Sequence, residues 1–577
     1  MRHKHRQQKS DGTGVQGVAE PQICKAYVAV AGGQVHYRRA GSGPPLVLLH
    51  DSPRSSLLHL DLIRHLADRF TVYALDTPGY GESSPLTRQG RALEVADFAE
   101  ALAATVAALG LEKAGFYGFH TSSKILLDFA VRHPEKVAVA LLDGLSIAKG
   151  GKPDPAFIDA YMRPFTVDAD GSFLVREWTR VRDTWRWFPW FAASPPSRMP
   201  IAQPPLAEIH DYFLDYAMAG PNYASAYRAA MEHQPLDNVG RITAPTQIFA
   251  RADDVLFGCL DLLPSPGPAG LSVARLSADR SQWMAHIKDM FERYRADMQA
   301  VPAPVVAIGG PFSHYIDLPH GQMRVQSNAG IGRPILLLHD LPGGAMAAAG
   351  LQAALAAGGR PVHAPDLPGC GQSDPLPLAT ADAYATALAQ AVKVLELGPF
   401  DLVANGLSVP LALALLRAGL PIQRAVLDGM PLLGTEARAG MLDYLAAPLA
   451  PDRAGTHVLR GWHALRDAAA SFPAQDGGIA AVRSDSAALE GQSLFLRLLD
   501  MLKQPTHQGD ALRAAFDHDA AVRLADVPMP ILLPVVAGDP LYGQVPAVAR
   551  MLARANIQPR PADVSGRAAL FLSFLAG

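Results

Sequence analysis

The chain is written twice. Tyr27-Val28-Ala29-Val30 through Gly33-Gln34-Val35 returns as Tyr315-Ile316-Asp317-Leu318 through Gly321-Gln322-Met323. Leu46-Val47-Leu48-Leu49-His50-Asp51 returns as Ile335-Leu336-Leu337-Leu338-His339-Asp340. Asp76-Thr77-Pro78-Gly79-Tyr80-Gly81-Glu82-Ser83 returns as Asp366-Leu367-Pro368-Gly369-Cys370-Gly371-Gln372-Ser373, and Asp143-Gly144 as Asp428-Gly429. Gly171, Trp178, Arg182, Asp183 and Pro189 recur as Gly455, Trp462, Arg466, Asp467 and Pro473, each 284 positions later. His233 and Asp254 recur as His518 and Asp539. Chance does not hold so many residues at separations of 284 to 290 positions. A repeat this long is a duplicated domain, not a short solenoid unit. One fold must therefore serve both halves. The copies lie over 21–300 and 314–577, with a linker over 301–313 that opens Val301-Pro302-Ala303-Pro304.

Composition narrows the function classes. With 577 residues, 49% hydrophobic and 18% charged, the chain can bury more than one large core. A formal net charge of −3 offers no basis for nucleic acid or an anionic membrane as partner. Residues 1–20 carry Arg2, Lys4, Arg6 and Lys9 with no apolar stretch behind them, which reads as a loose basic tail and not a signal peptide. No apolar run approaches the ~18 residues that span a bilayer. The three cysteines, Cys24, Cys259 and Cys370, are widely spaced and form neither a disulfide framework nor a zinc site. A reducing, cytoplasmic setting is the expectation.

Each half alternates short apolar runs with amphipathic ones. Leu46–His50, Thr71–Asp76, Lys113–Tyr117, Val137–Asp143 and Thr246–Ala250 read as buried strands of a parallel sheet. Val95–Leu109 and Ser123–Arg132 read as helices between them. The pattern predicts an α/β chain: two mostly parallel, doubly wound sheets with sites at the strand carboxyl ends. The alternation breaks over about 145–235 and 430–527, which read as helical caps.

Between the strand-like Lys113–Tyr117 and the helix-like Ser123–Arg132 stands Gly118-Phe119-His120-Thr121-Ser122. The second copy has Ala404-Asn405-Gly406-Leu407-Ser408. With His50-Asp51-Ser52-Pro53, Asp76-x-Pro78-Gly79-x-Gly81-x-Ser83 and the later Asp254, these turns resemble the nucleophile elbow and flanking motifs of the α/β-hydrolase superfamily. The resemblance covers nearly all of both halves. It implies two tandem α/β-hydrolase-fold domains but does not name a reaction, since the fold hosts many. No G-x-G-x-x-G follows the first strand of either half, so no cofactor is expected.

The family's order of nucleophile, acid and histidine falls here on His120, Asp254 and Arg280, and in the second copy on Gly406, Asp539 and Arg567. Both elbows lack serine. His120 at the apex could serve as general base or as nucleophile, with Asp254 orienting it. Asp253 is one register step away, and Ser122 is a rival nucleophile. The resemblance places the oxyanion hole on the amides of Asp51 and Thr121. Asp51 and Asp340 read as hydrogen-bonding residues of their loops. Arg280 is either a clamp for an anionic group or an ion-pair partner of Asp254. Trp178, Trp185, Trp187 and Trp190 cluster in the first cap, where they either line an aromatic pocket or form cap core. The candidate substrate-binding set is Trp178, Trp185, Trp187 and Arg280. No metal-ligand spacing occurs.

These residues imply a hydrolase or lyase acting through domain 1 on a small apolar or aromatic carbonyl or ester compound. Domain 2 is expected to be inactive. The alternative is a non-catalytic pseudo-hydrolase that binds a small ligand or a protein partner.

Overall fold

A computed structural model describes residues 20–150, 153–199, 201–303, 311–484, 489–517 and 527–577. Most of the expected basic tail, part of the linker and His518 lie outside the described residues.

Domain 1 is built on nine strands: β1 (Cys24–Val30), β2 (Gly33–Ala40), β3 (Pro45–Leu49), β4 (Thr71–Leu75), β5 (Leu111–Phe119), β6 (Val137–Asp143), β7 (Thr246–Arg251), β8 (Leu271–Leu276) and β9 (Gln299–Ala300). Their order is β1-β2-β4-β3-β5-β6-β7-β8, with β9 added antiparallel to β5. Only the β1–β2 and β2–β4 pairs on the main path are antiparallel. The pairs from β4 through β8 are parallel. All residues of β3 and of β6 are buried, as strands covered on both faces must be.

Domain 2 repeats this with β10 (Phe312–Leu318), β11 (Gly321–Asn328), β12 (Ile335–Leu338), β13 (Val362–Pro365), β14 (Phe400–Asn405), β15 (Ile422–Asp428), β16 (Ile531–Val535) and β17 (Ala555–Pro559). The order β10-β11-β13-β12-β14-β15-β16-β17 is the same path strand for strand. Both caps are helical. Helices Pro155–Tyr161, Ser172–Thr184, Leu206–Ala219 and Ser225–Glu232 form the first. Helices Thr435–Leu445, Thr456–Ala470, Gly491–Lys503 and Asp510–Phe516 form the second. Among the described residues no helix is long and apolar enough to cross a membrane.

The repeated motifs are loop pins. His50 receives the Thr77 amide proton on Nε2 at 2.8 Å and turns Nδ1 to the Asp51 carbonyl at 2.7 Å. His339 does the same with Leu367 and Asp340. Asp76 accepts the amides of Ser56 and Glu82, as Asp366 accepts those of Ala345 and Gln372. A buried carboxylate with several amide donors is well satisfied and fixes the loop that carries it.

The two halves meet through their own equivalent surfaces. The Gln34 side chain bonds the backbone N–H and carbonyl of Ser313, and the Gln322 side chain bonds those of Lys25. The caps share one apolar cluster, with Phe173, Trp178 and Phe213 from domain 1 and Trp462, Phe495 and Leu498 from domain 2.

Candidate active site

β5 ends at Phe119, and the helix Thr121–Arg132 starts two residues later. His120 joins them at φ 48° and ψ −107°. A residue with a Cβ enters that region only at a cost of order 1–3 kcal/mol. The turn is held by the His120 amide donating to the Asp143 carbonyl at 2.9 Å and by Ser123 Oγ donating to the His120 carbonyl at 2.6 Å. Gly118 admits the tight return of the chain, because a Cβ there would lie 2.7 Å from the Ser122 carbonyl oxygen.

β7 delivers the acid. Asp254 Oδ2 lies 2.8 Å from His120 Nε2, while its Oδ1 accepts the Leu256 amide at 2.8 Å. Asp253 instead pairs with Arg251 at the surface, so the register falls on Asp254. An ionised carboxylate only accepts, so Nε2 carries the imidazole proton and Nδ1 holds the lone pair. Nδ1 has no hydrogen-bond partner among the described residues. Burial disfavours the imidazolium, yet the charge and hydrogen bond of Asp254, with Asp51 and Asp143 behind it, outweigh burial and raise the His120 pKa above 6.5. Burial likewise opposes ionised Asp254, and His120 prevails and lowers its pKa. The imidazole stacks on Phe119 at 4.0 Å.

Asp143, at the end of β6, accepts from Tyr117 Oη and Trp283 Nε1 on one oxygen, each at 2.8 Å. Burial pushes its carboxyl up to about 6 against those two donors, with the charge of Asp254 adding to the rise. Gly144 follows at φ 66°, and a Cβ there would lie 2.4 Å from His120 Cδ2. The Asp-Gly repeat at 143–144 and 428–429 was the sequence signal for this contact, and it passed as a strand end.

The other predicted residues separate into those at the site and those away from it. Ser122 Oγ is buried and spent on Leu49, on Phe119 and on the Phe119 amide, which leaves no free nucleophile. Arg280 does not reach Asp254. It is exposed and pairs with Asp61 at 3.0 Å. Nor is Arg567 its counterpart, because the helix caps Asp279 and Asp563 align the two final helices and match Arg567 with Trp283. Both of those residues approach the Asp143 and Asp428 pair. Trp178 lies in the interface between the caps, against Gly455 and His457, and not over His120. Trp185 packs edge-on to Tyr212, and Trp187 lies under Arg198. The hollow in the first cap is lined instead by Pro53, Tyr161, Arg180, Trp190, Tyr212 and Tyr227 among others. The Tyr161 and Tyr227 hydroxyls are 3.1 Å apart. Burial keeps Tyr227 neutral by holding its pKa well above the usual value.

The two copies differ at the loop aspartate. In domain 2, Asp340 Oδ1 accepts the amides of Leu341 and Leu407, each at 2.8 Å. Leu407 directly follows the apex Gly406, so this carboxylate occupies the place of an oxyanion. The equivalent amides in domain 1 belong to Ser52 and Thr121, one position along from the Asp51 amide expected from sequence. Among the described residues Asp51 itself makes no such bonds, and its Oδ1 is buried without a hydrogen-bond partner. Burial raises its pKa, with Arg54 and His120 pulling the other way. Asp340 thus fits the expected role of a hydrogen-bonding loop residue, and Asp51 does not.

Comparison with known proteins agrees with this construction. A family model described as alpha/beta hydrolase fold matches residues 44–258, and one described as alpha/beta hydrolase family matches residues 335–567. The chain is a tandem of two α/β-hydrolase domains. Soluble epoxide hydrolase of Corynebacterium sp. (strain C12) is 30% identical over 172 residues, which cover 25% of this chain and 59% of that protein. Haloalkane dehalogenase 2 of Mycobacterium bovis is 32% identical over 110 residues, covering 19% of this chain and 38% of that one. The crystal structure of epoxide hydrolase A from Mycobacterium thermoresistibile is similar at 19% identity and a TM-score of 0.38, over 48% of this chain and all of that one. The α/β-hydrolase tandem thus spans less than two thirds of each of these two curated relatives.

Proposed function

We propose that domain 1 is the catalytic half and that His120 acts as a general base on a small, uncharged, largely apolar carbonyl compound. The 2.8 Å bond between His120 Nε2 and Asp254 carries this reading. It joins the apex residue directly to the acid, where the family order would put a histidine between nucleophile and acid. His120 Nδ1 takes a proton from water or from a carbon next to the carbonyl, and Asp254 stabilises the imidazolium. The developing oxyanion falls to the amides of Ser52 and Thr121. General-base help is worth typically ~10²–10⁴-fold, and one oxyanion donor ~10²–10³-fold.

Attack by His120 as a nucleophile fits less well, because the acyl-imidazole then needs a second base. His286, on the final helix of domain 1, is engaged with Gln247 at 2.6 Å. Aromatic walls and the neutral Tyr161 and Tyr227 hydroxyls favour an apolar body with a polar end. Domain 2 takes the non-catalytic role, since Gly406 has no side chain to react.

The test is a panel of small esters, ketones and epoxides, the last suggested by the names of the relatives, given to wild type, His120→Ala and Asp254→Asn. Turnover by wild type that falls ~10²-fold or more in His120→Ala supports the reading. Ligands that raise the melting temperature with no turnover anywhere in the panel would replace it with the binding-protein alternative.

A further inference from the structure

The two copies form a natural experiment on one loop aspartate. Asp340 sits on both oxyanion-hole amides of domain 2, and Asp51 sits on neither of the equivalent amides of domain 1. Two differences accompany the change. The first is the apex residue. A Cβ on Gly406 would lie 2.1 Å from Asp340 Oδ1, so only an apex glycine lets the carboxylate in. The second is the cap. Arg497 Nη2 stands 3.3 Å from Asp340 Oδ2 and is anchored on the Pro342 carbonyl. The equivalent cap position in domain 1 is Tyr212, and the nearby Arg54 is drawn instead to Asp215 at 2.9 Å.

We propose that the apex side chain decides whether the aspartate after the first-strand histidine closes the oxyanion hole: Gly406 lets Asp340 plug domain 2, and His120 keeps Asp51 out of domain 1. Asp340 is then a built-in carboxylate ligand that satisfies two amide donors and neutralises one arginine. The apex and the loop aspartate form one unit. Losing the apex side chain removes the reacting group and also shuts the hole. By the same reasoning, exclusion of Asp51 from the hole leaves the Ser52 and Thr121 amides free for an oxyanion. The domain 2 half of the proposal does not depend on His120 being catalytic, and its failure would leave the reading of domain 1 standing.

Reciprocal variants of the full chain test it by crystallography. In Gly406→Ala, Asp340 is expected off the Leu341 and Leu407 amides. In His120→Gly, Asp51 is expected on the Ser52 and Thr121 amides. In solution, Asp340→Ala empties the hole beside Arg497, and acetate is the probe. A saturable, acetate-dependent rise in melting temperature in Asp340→Ala but not in wild type supports the proposal. An equal acetate response in both proteins, Asp340 still on the amides in Gly406→Ala, or Asp51 unmoved in His120→Gly would overturn it.

Discussion

Tyr27 stacks on Tyr315 with ring centroids 5.5 Å apart and planes 13° apart. The two tyrosines are the same position in the two copies, so the domains face each other across a pseudo-two-fold axis. Contacts further out obey it. Gly171 approaches Trp462 while Gly455 approaches Trp178, with no room for a Cβ at either glycine. This is the self-complementary interface of a symmetric dimer, here closed within one chain.

The symmetry is broken by charge. Lys503 of domain 2 lies 2.9 Å from Glu82 of domain 1 and 3.1 Å from Asp500, and all three are buried. The position equivalent to Glu82 is Gln372, which donates to Glu82 at 2.9 Å. Removing one partner of a buried pair typically costs about 3–5 kcal/mol, because it strands the other charge. Lys503→Met should therefore lower the urea midpoint sharply. Equal midpoints for the single variant and wild type would contradict a stabilising role for this pair.

Gly144 guards the imidazole. Gly144→Ala adds a methyl where His120 Cδ2 and Nε2 would lie at 2.4 and 2.8 Å, at a backbone φ of 66° that disfavours any Cβ. The ring must leave Asp254. The expected result is a stability loss of order 1–3 kcal/mol with a fall in kcat larger than the change in KM, read by steady-state kinetics and thermal melts.

The pH response has a defined sign. His120 is raised above 6.5 in the folded protein. Its contribution to stability is therefore fully present below pH 6.5 and lost as pH rises through the folded pKa. Activity runs the opposite way, since a base must be unprotonated, so kcat/KM should climb with pH through that same value. Asp143, pushed up to about 6 by burial, lies within electrostatic reach of the same ring. Asp254→Asn removes the charge that raises His120 and also disturbs its tautomer. The kinetic limb should move to lower pH as the plateau falls, measured as kcat/KM against pH for both proteins.

The fold was legible because duplication supplied a second reading of each strand. Both caps followed from local pattern, and the elbow and Asp254 from the family resemblance together with the matching Asp539. What stayed hidden depends on which surfaces meet. Trp178 reads as pocket or core within its own cap, and only the packed tandem shows it buried against Gly455. Arg280 aligns with Arg567 by residue type, yet the capping aspartates set the helix register three residues away. Asp51 and Asp340 are identical in sequence context as far as the leucine or serine that follows. Their different states arise from a contact with an apex some 70 residues along the chain, 120 in one copy and 406 in the other.

The most direct test of the account is the turnover of His120→Ser beside wild type on one shared substrate, with ligand binding followed by thermal shift. The serine restores the family's usual apex type, stays small and keeps a side chain above the hole. The account predicts that turnover falls by ~10²–10⁴-fold while binding persists. Unchanged turnover would contradict it, because the group held by Asp254 would then not be the one that does the chemistry.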